Sequence, residues 1–332
     1  MPFDEPILLA PMLQPRIWGG DKLLRYFANL DEKGAGAPTE PVGEAWLASD
    51  RDGAESRVMA GRHSGMTFAE RIALDPTGFY GAAPTPARFP LLVKWVYARE
   101  VLSVQVHPSF EDARRLGGAD EGKMEAWVVI DAEPGVRLVR GFRPGTTRGE
   151  IEAAIRAGTL ERYLKWIDVE KGDAVFVAPG VVHAIGAGLL ILEVQNNSDT
   201  TYRFYDWNRV DANGKARTLH FAKGLAVMRE GDASTPKAVP TSISTPWPGE
   251  RLVRCEAFTL DRFRLCGTLS GTANAVPRVI AVLSGAATIS SRHGNFMLRA
   301  GSTVIIPARL DAFTLSGDAV FCVVTPPSPE TE

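Results

Sequence analysis

Apolar and polar residues alternate along this chain in many short runs. β-Branched and aliphatic residues recur between glycines and prolines, as in RLVRGF, AVFVAP, LLILEV, PRVIAVL, STVIIP and AVFCVV. Runs of this length predict strands, and their regular succession favours an all-β sandwich, barrel or jelly roll over alternating strand and helix units. The pattern therefore predicts a mainly β protein.

Helices are predicted only as short inserts between these strands. Thr67 with Glu70 opens TFAERIAL, and Thr147 with Glu150 opens GEIEAAIRAG. Both pairs have the three-residue spacing of a capping box. Ser109 can cap a further helix, FEDARRL. We expect helical inserts at about 67–80, 109–117 and 147–166.

A segment rich in proline, serine and threonine, STPKAVPTSISTPWPGE, covers residues 234–250 and predicts a linker. The segment after it that covers residues 298–315, LRAGSTVIIPARLDAFTL, repeats the plan of residues 170–185, EKGDAVFVAPGVVHAI. Where the first copy has His183, the second has Asp311 or Ala312. We therefore expect a domain over 1–233 that carries the candidate functional residues. Over 251–332 we expect a second copy of the same β-fold that lacks them.

The length of the chain agrees with two domains, and its net charge limits the kinds of binding partner that we expect. The chain has 332 residues, and single cores stop growing at about 250–300. Its net charge of −2 indicates neither a nucleic-acid nor a membrane partner. The start, MPFDEPILLAPM, lacks the pattern of a signal peptide. We expect a cytoplasmic protein that is a monomer or weak homodimer.

Several polar residues interrupt strands that are otherwise apolar. In VLSVQVHPSF, Gln105 and His107 lie two residues apart, so their side chains point to the same face of a strand. In GKMEAWVVID, Lys123 and Glu125 form a second pair of this kind, predicted on one strand. The same interruption recurs at His183, Glu193 and Arg203. Burying such groups without partners costs on the order of several kcal/mol, so we expect them to converge on a ligand.

His107, Glu125 and His183 supply two imidazoles and one carboxylate. This set binds a divalent ion such as Zn²⁺ with an open coordination position, and Gln105 would add a weaker oxygen ligand. The same set would suit iron. Alternatively, each histidine could be a hydrogen-bonded core residue and Glu125 could simply pair with Lys123.

The motifs SVQVHP, GKMEAW, APGVVHAIGAG and ILEVQNNSDTTYRFYDWNR, with the earlier IWGG and VGEAWLAS, resemble type I mannose-6-phosphate isomerase in its short bacterial form. That family is built from cupin jelly rolls and interconverts mannose 6-phosphate and fructose 6-phosphate with bound zinc. The resemblance implies two cupin-type jelly rolls, of which the C-terminal one is metal-free, and one zinc ion per chain.

The resemblance also assigns site residues by position. It implies that the zinc ligands are Gln105, His107, Glu125 and His183. It places the catalytic groups at Arg203, Glu193 and Lys123. It places the substrate-binding residues, on the phosphate side, at Lys94 and Ser103.

The isomerisation moves a proton between C1 and C2 through an enediol intermediate, so it needs a charge stabiliser and a base. Arg203 stays protonated and suits stabilisation of enediolate charge. Burial in an apolar strand makes Glu193 a candidate base, because desolvation disfavours the carboxylate anion. Lys123 is the rival, since a lysine close to zinc and Arg203 gives up its proton more readily. The sequence does not choose between the two.

Two other classes of function fit the same scaffold. One is a non-catalytic cupin that binds a sugar or sugar phosphate, and the other is a metal-dependent cupin enzyme of another reaction type, such as an oxygenase or epimerase. The presence of Glu193, Lys123 and Arg203 beside the ligand set favours the isomerase, because a pure binder needs no base.

Overall fold

The computed structural model describes residues 3–27, 40–117, 120–210, 214–230 and 236–328. Strands dominate these residues, which confirms the prediction of a mainly β protein. The strands are β1 (Ile7–Ala10), β2 (Met12–Gly20), β3 (Val42–Ala48), β4 (Asp50–Arg51), β5 (Ala54–Glu55), β6 (Arg57–Val58), β7 (Leu91–Ala98), β8 (Val104–Val106), β9 (Glu125–Ala132), β10 (Arg137–Phe142), β11 (Leu164–Asp168), β12 (Ala174–Val177), β13 (His183–Ala184), β14 (Leu189–Asn196), β15 (Tyr202–Tyr205), β16 (Thr241–Ile243), β17 (Gly249–Arg254), β18 (Thr259–Thr272), β19 (Arg278–Ser291), β20 (Gly294–Arg299), β21 (Thr303–Ile306) and β22 (Ala312–Thr325). The helices are α1 (Lys22–Phe27), α2 (Phe68–Ala73), α3 (Pro76–Tyr80), α4 (Phe110–Arg115), α5 (Arg148–Arg156) and α6 (Phe221–Val227), with a 3₁₀ helix at Leu160–Tyr163.

The strands of the described ranges pair antiparallel into three large sheets and one short pair, β4–β5. The six-stranded sheet has the order β12-β9-β14-β7-β3-β2, and the five-stranded sheet has the order β11-β10-β13-β8-β15. The nine-stranded sheet runs β16-β17-β18-β22-β19-β21-β1-β6, with β20 beside β19. Two of the sheets therefore come from the first two thirds of the chain, and the third comes mainly from the last third.

The six-stranded sheet is buried on both faces, and strand periodicity decides which residue faces which neighbour. Val93 and Trp95 of β7 pack into a core shared with Leu260 of the nine-stranded sheet. Val96 points the other way and packs in a second core with Leu138 of the five-stranded sheet. We call this second side, which faces the five-stranded sheet, the inner face.

Two early strands, β1 and β6, belong to the C-terminal sheet. In β1, Ile7 lies opposite Ile305 of β21, and Leu9 lies opposite Val58 of β6. Residues Thr241–Ile243, inside the segment predicted as a linker, pair with β17 as an edge strand of the same sheet. The domain boundary at 234–250 stays a prediction, with residues 231–235 outside the described part of the chain.

The two capping boxes predicted from the sequence are present. Glu70 donates its backbone N–H to Thr67 Oγ1 at 3.1 Å, and Thr147 caps α5 in the same way. The helical insert predicted over about 147–166 consists of α5, a turn at Gly158 with a left-handed φ of 65° and the 3₁₀ helix Leu160–Tyr163, and it ends where β11 begins at Leu164. None of the helices in the described ranges is both long and apolar enough to span a membrane.

Candidate metal centre and active site

The inner face of the six-stranded sheet carries a row of polar side chains. Glu193 of β14 lies directly opposite Lys94 of β7 on one side and Trp127 of β9 on the other. Glu125 lies two residues before Trp127, so it shares that face. Directly opposite residues in antiparallel strands are about 4.5–5.5 Å apart, so the sheet itself brings these side chains into contact.

The five-stranded sheet supplies the opposing residues. Gln105 of β8 lies opposite His183 of β13 and Arg203 of β15. His107 lies one residue beyond the end of β8, and its carbonyl oxygen accepts the N–H of Gly180 at 2.8 Å. Gly180 has φ 83°, and a Cβ there would lie 2.9 Å from the carbonyl oxygen of Val227. This glycine turn holds the A-P-G-V-V-H segment against His107 and so brings the two histidines together.

His107, Glu125 and His183 meet between the two sheets. The two carboxylate oxygens of Glu125 lie 3.3 Å from Nε2 of His107 and 3.3 Å from Nε2 of His183. All three residues are buried, and one potential ligand atom from each lies within 4.8 Å of the others. Residues separated by 76 positions therefore form one compact set of metal-ligand atoms.

The imidazoles are oriented for metal binding. His107 Nδ1 donates to the carbonyl oxygen of Thr200 at 2.9 Å, and His183 Nδ1 donates to that of Val181 at 2.9 Å. A carbonyl only accepts, so each Nε2 keeps its lone pair for the centre. Burial, together with the charge of Lys123, lowers the pKa of His107 to about 4, and burial also lowers the pKa of His183. Both rings are therefore neutral near pH 7, as metal ligation requires.

Unsatisfied atoms also fit a cation at this place. His107 Nε2 and Glu125 Oε1 are buried and have no hydrogen-bond partner among the described residues. Burial opposes ionisation of Glu125, but the charge of Lys123 outweighs it, with help from His107, and holds the pKa of that carboxyl well below its usual range. A divalent cation would satisfy both orphaned atoms and the carboxylate charge.

Gln105 extends the set. Its Nε2 lies 3.3 Å from Nε2 of His183, and its Oε1 accepts from the hydroxyl of Ser103 at 3.2 Å. Half a turn of the amide exchanges these atoms, so that oxygen faces the imidazoles and the NH₂ donates to Ser103. The side chain can thus present an oxygen ligand without losing its support.

Lys123, Glu193 and Lys94 form an ionic chain beside the metal centre. Lys123 Nζ lies 2.9 Å from Glu125 Oε2 and 3.8 Å from Glu193 Oε1. Lys94 Nζ lies 3.0 Å from the same Glu193 oxygen, while Trp127 Nε1 donates to the other oxygen at 3.2 Å. The two candidate bases therefore face each other across one short gap.

The prediction of Lys123 and Glu125 as a pair on one strand is wrong for Lys123. Strand β9 begins at Glu125, and the backbone N–H of Lys123 donates to the carbonyl oxygen of Pro108 at 3.0 Å. The short loop still places its ammonium group against Glu125.

Sequence reasoning missed Glu44 and its partner Arg16. Two guanidinium nitrogens of Arg16 donate to the Glu44 carboxylate at 3.1 and 3.0 Å, Trp46 Nε1 donates to it at 2.7 Å, and Lys94 Nζ lies 3.8 Å away. Burial opposes ionisation, but the cations Lys94 and Arg16 outweigh it and lower the pKa of Glu44 to about 2. Glu44 interrupts the apolar run VGEAWLA just as Glu193 interrupts LLILEV, so the same criterion would have found it.

A cavity of about 280 Å³ opens between the sheets beside the metal centre. Arg203 forms part of its wall, donating from Nε to Ser103 Oγ at 3.0 Å and from Nη1 to the carbonyl oxygen of Thr218 at 3.1 Å. The lining residues that the sequence singled out are Lys94, Ser103, Gln105, Lys123, Glu193 and Arg203. The lining residues it did not single out include Arg16, Glu44, Asp199 and Arg217.

Known proteins resemble this chain over almost its whole length. The family model described as phosphomannose isomerase type I, catalytic domain, matches residues 7–126, and the one described as mannose-6-phosphate isomerase, cupin domain, matches residues 250–326. Mannose-6-phosphate isomerase ManA of Bacillus subtilis (strain 168) is 32% identical over 321 residues, which are 97% of this chain and 98% of that protein. The mannose-6-phosphate isomerase of Streptococcus mutans serotype c is 33% identical over 315 residues, 95% of this chain and 96% of that protein.

The solved structures agree. The crystal structure of the mannose 6-phosphate isomerase from Bacillus subtilis aligns with a TM-score of 0.84 at 29% identity, covering 96% of this chain and 99% of that chain. The similarity therefore extends across all three large sheets and is not confined to the motifs around the cavity.

Proposed function

The chain belongs to the type I phosphomannose isomerase family, and on this premise we propose that it interconverts mannose 6-phosphate and fructose 6-phosphate with one zinc ion bound between its two inner sheets. The observation that carries the proposal is the cluster of His107, Glu125 and His183 beside a cavity that also exposes Lys123 and Glu193. The candidate ligand set adjoins a cavity lined by two candidate proton-transfer groups, which a binding protein does not need.

Zinc suits the donors better than a harder ion. Two neutral imidazoles and one carboxylate, with the amide oxygen of Gln105 as a further ligand, match the donor types of catalytic zinc sites. Bound there, zinc would act as a Lewis acid that polarises the sugar carbonyl without a redox change.

The protein's own residues would move the protons. Glu193 lies 3.0 Å from Lys94 Nζ and accepts from the Trp127 indole, and we assign it to take the proton from C2 of the aldose and return it to C1. Lys123 Nζ lies 3.8 Å from Glu193 Oε1, and we assign Lys123 to exchange protons with the two substrate oxygens. The intermediate formed between these steps is an enediol.

Arg203 and the remaining lining residues would hold the substrate. The permanently charged guanidinium of Arg203 stabilises negative charge that develops on the substrate oxygens. Lys94 and Ser103 line the same cavity, and we assign them to substrate binding.

We also propose that both β halves are cupin jelly rolls. The six- and five-stranded sheets would form the catalytic one, within residues 1–233, and the nine-stranded sheet would form the metal-free one, within residues 251–332, completed by β1, β6, β16 and the start of β17. The match of the cupin-domain model to residues 250–326 supports the second assignment. The three long strands β18, β19 and β22 and the separate apolar core that they enclose also support it.

Metal analysis and a coupled assay for fructose 6-phosphate test the function together. We expect about one zinc ion per chain and turnover of mannose 6-phosphate. His107→Ala should lose metal and activity together, whereas Arg203→Ala should keep its metal and lower kcat roughly 10²- to 10³-fold. Arg264→Ala, an exposed arginine of the nine-stranded sheet, is the matched control and should change neither.

Three results would contradict the proposal in different ways. Zinc-loaded protein that binds the sugar phosphate without turnover would establish a binding protein. Iron in place of zinc, without isomerase activity, would indicate another reaction type. Equal metal loss in the Arg203 and His107 variants would assign Arg203 a structural role.

A further inference from the structure

The cavity has two ends with different charge balance. At the metal end, the carboxylates of Glu44, Glu125 and Glu193 face the ammonium groups of Lys94 and Lys123. At the arginine end, the lining residues Arg203 and Arg217 lie near Asp206, whose carboxylate also accepts from Arg209. Arg16, which pairs with Glu44, brings these charges of the metal end into balance, whereas the arginine end carries an excess of positive charge.

The lysines of the metal end are already neutralised. Lys94 Nζ lies between Glu193, at 3.0 Å, and Glu44, at 3.8 Å, and only 5% of the residue is exposed. Lys123 Nζ lies 2.9 Å from Glu125, and 3% of that residue is exposed. A phosphate placed against either lysine would also meet these carboxylates, so its dianion requires another cation.

At the arginine end, one carboxylate serves two guanidinium groups. Asp206 accepts from Arg209 Nη2 at 2.5 Å, and Arg209 also lies 3.5 Å from the half-exposed Glu100. Arg217 Nη1 lies 3.6 Å from the other Asp206 oxygen, which is outside hydrogen-bond distance. This nitrogen is buried and has no hydrogen-bond partner in the described part of the chain. Arg217 is thus a cation of the cavity wall whose Nη1 donors are unused.

Arg203 and Arg217 lie close together although their charges repel. Arg203 donates to the carbonyl oxygen of Thr218, the residue after Arg217, and both arginines line the cavity. Burial first, and then the charge of Arg217, lower the pKa of Arg203. Guanidinium groups nevertheless stay protonated, so two adjacent positive charges face the cavity. An anionic ligand would relieve this repulsion.

We propose that Arg217 binds the phosphate group of the substrate and thereby selects phosphorylated sugars. The proposal rests on the proposed function, because a hexose 6-phosphate carries its charge at C6 and reacts at C1 and C2. With the phosphate on Arg217, the sugar extends past Arg203 towards Lys123, Glu193 and the metal end. The fork of a guanidinium matches phosphate oxygens in charge and geometry, and such charge-assisted bonds are strong.

The test compares Arg217→Ala with the conservative Arg217→Lys and the control Arg264→Ala, all loaded with zinc and checked for equal metal content. For Arg217→Ala we expect KM for mannose 6-phosphate to rise roughly 10- to 100-fold, while kcat/KM for unphosphorylated mannose stays unchanged. Calorimetry with inorganic phosphate should show binding to the parent protein and to Arg264→Ala, weaker binding to Arg217→Lys, and no binding to Arg217→Ala.

Two outcomes would overturn the proposal. One is phosphate binding by Arg217→Ala with parental affinity, and the other is an equal loss of kcat/KM for the phosphorylated and the free sugar. Phosphate binding needs no turnover, so this measurement separates the two proposals. A parent protein that binds phosphate through Arg217 but does not isomerise mannose 6-phosphate would reject the proposed function and keep the anion site.

Discussion

The two β halves of this protein fill their interiors in opposite ways. Buried ionisable side chains lie between the six- and five-stranded sheets, and they include Lys94, Glu125 and Glu193. Inside the nine-stranded sheet lies an aromatic cluster, in which Phe263 stacks on Phe321 with centroids 5.5 Å apart. Burying a phenylalanine stabilises a fold by about 1.5–3 kcal/mol, whereas burying ion pairs costs desolvation that the pairing only partly offsets. In the described part of the chain, the cluster of potential metal ligands lies in the first interior.

Corresponding segments show where the difference arises. In APGVVHAI the inward side chain is His183, which is fully buried at the metal centre. In IPARLDAF the exposed residues Asp311 and Ala312 precede the inward Phe313, which packs edge-on against Trp247. Similar strand–proline–turn segments therefore deliver an imidazole in one half and a phenyl ring in the other, and the inward side chain decides which half can bind metal.

Removal of the metal should produce the largest difference between the two halves in activity and in hydrogen-exchange protection. Chelation should lower activity by at least roughly 10³-fold, because a Lewis acid contributes several kcal/mol to transition-state stabilisation. Hydrogen exchange should show lost protection around β8 and β13 and unchanged protection in β18, β19 and β22. Zinc addition should restore both. Full activity in metal-free protein, or loss of protection spread evenly over both halves, would contradict the comparison.

Truncation of the aromatic core should give the next largest effect. Phe321 is 2% exposed, so Phe321→Ala should lower the free energy of unfolding by about 3–5 kcal/mol through lost burial and a cavity. Denaturant unfolding measures this change. The folded variant should keep its zinc and its kcat at low temperature, and a specific loss of metal at unchanged stability would contradict the separation of the two interiors.

Acid should destabilise mainly the catalytic half, and we expect this effect to be the smallest of the three. The pKa of Glu44 is lowered from 4.5 to about 2, so the stability it contributes is complete above pH 4.5 and is lost as the pH falls towards 2. Glu44→Gln should remove about 1–3 kcal/mol at neutral pH and flatten this part of the acid dependence. Unfolding curves between pH 6 and 3 measure both, and parallel curves for the two proteins would contradict the prediction.

Much of the candidate metal centre was predictable because each candidate ligand breaks an apolar pattern. Gln105, His107, Glu125 and His183 all interrupt strands or turns that are otherwise hydrophobic, and the structure brings them together. Arg217 was not predictable in this way, because it follows the polar stretch NGKA, where an arginine is ordinary. What distinguishes Arg217 is that the fold places it beside Arg203 and Asp206.

The domain organisation, too, was only partly predictable from the sequence. Composition marked residues 234–250 as a boundary, yet Thr241–Ile243 forms an edge strand and the distant Ile7 pairs with Ile305. Long-range pairing of this kind leaves no local signature, since an edge strand and an extended linker have similar composition.

By itself the sequence determined the strand periodicity, the capping boxes and the set of polar residues that must turn inward, because these depend on neighbours a few positions apart. The tertiary structure alone decided which sheets face each other, and hence that Lys94 lies between two carboxylates, Glu44 and Glu193, while Arg217 shares the single carboxylate of Asp206 with Arg209. Coulomb interactions and hydrogen bonds act over a few ångströms in space, and only folding brings residues so distant in sequence within that range.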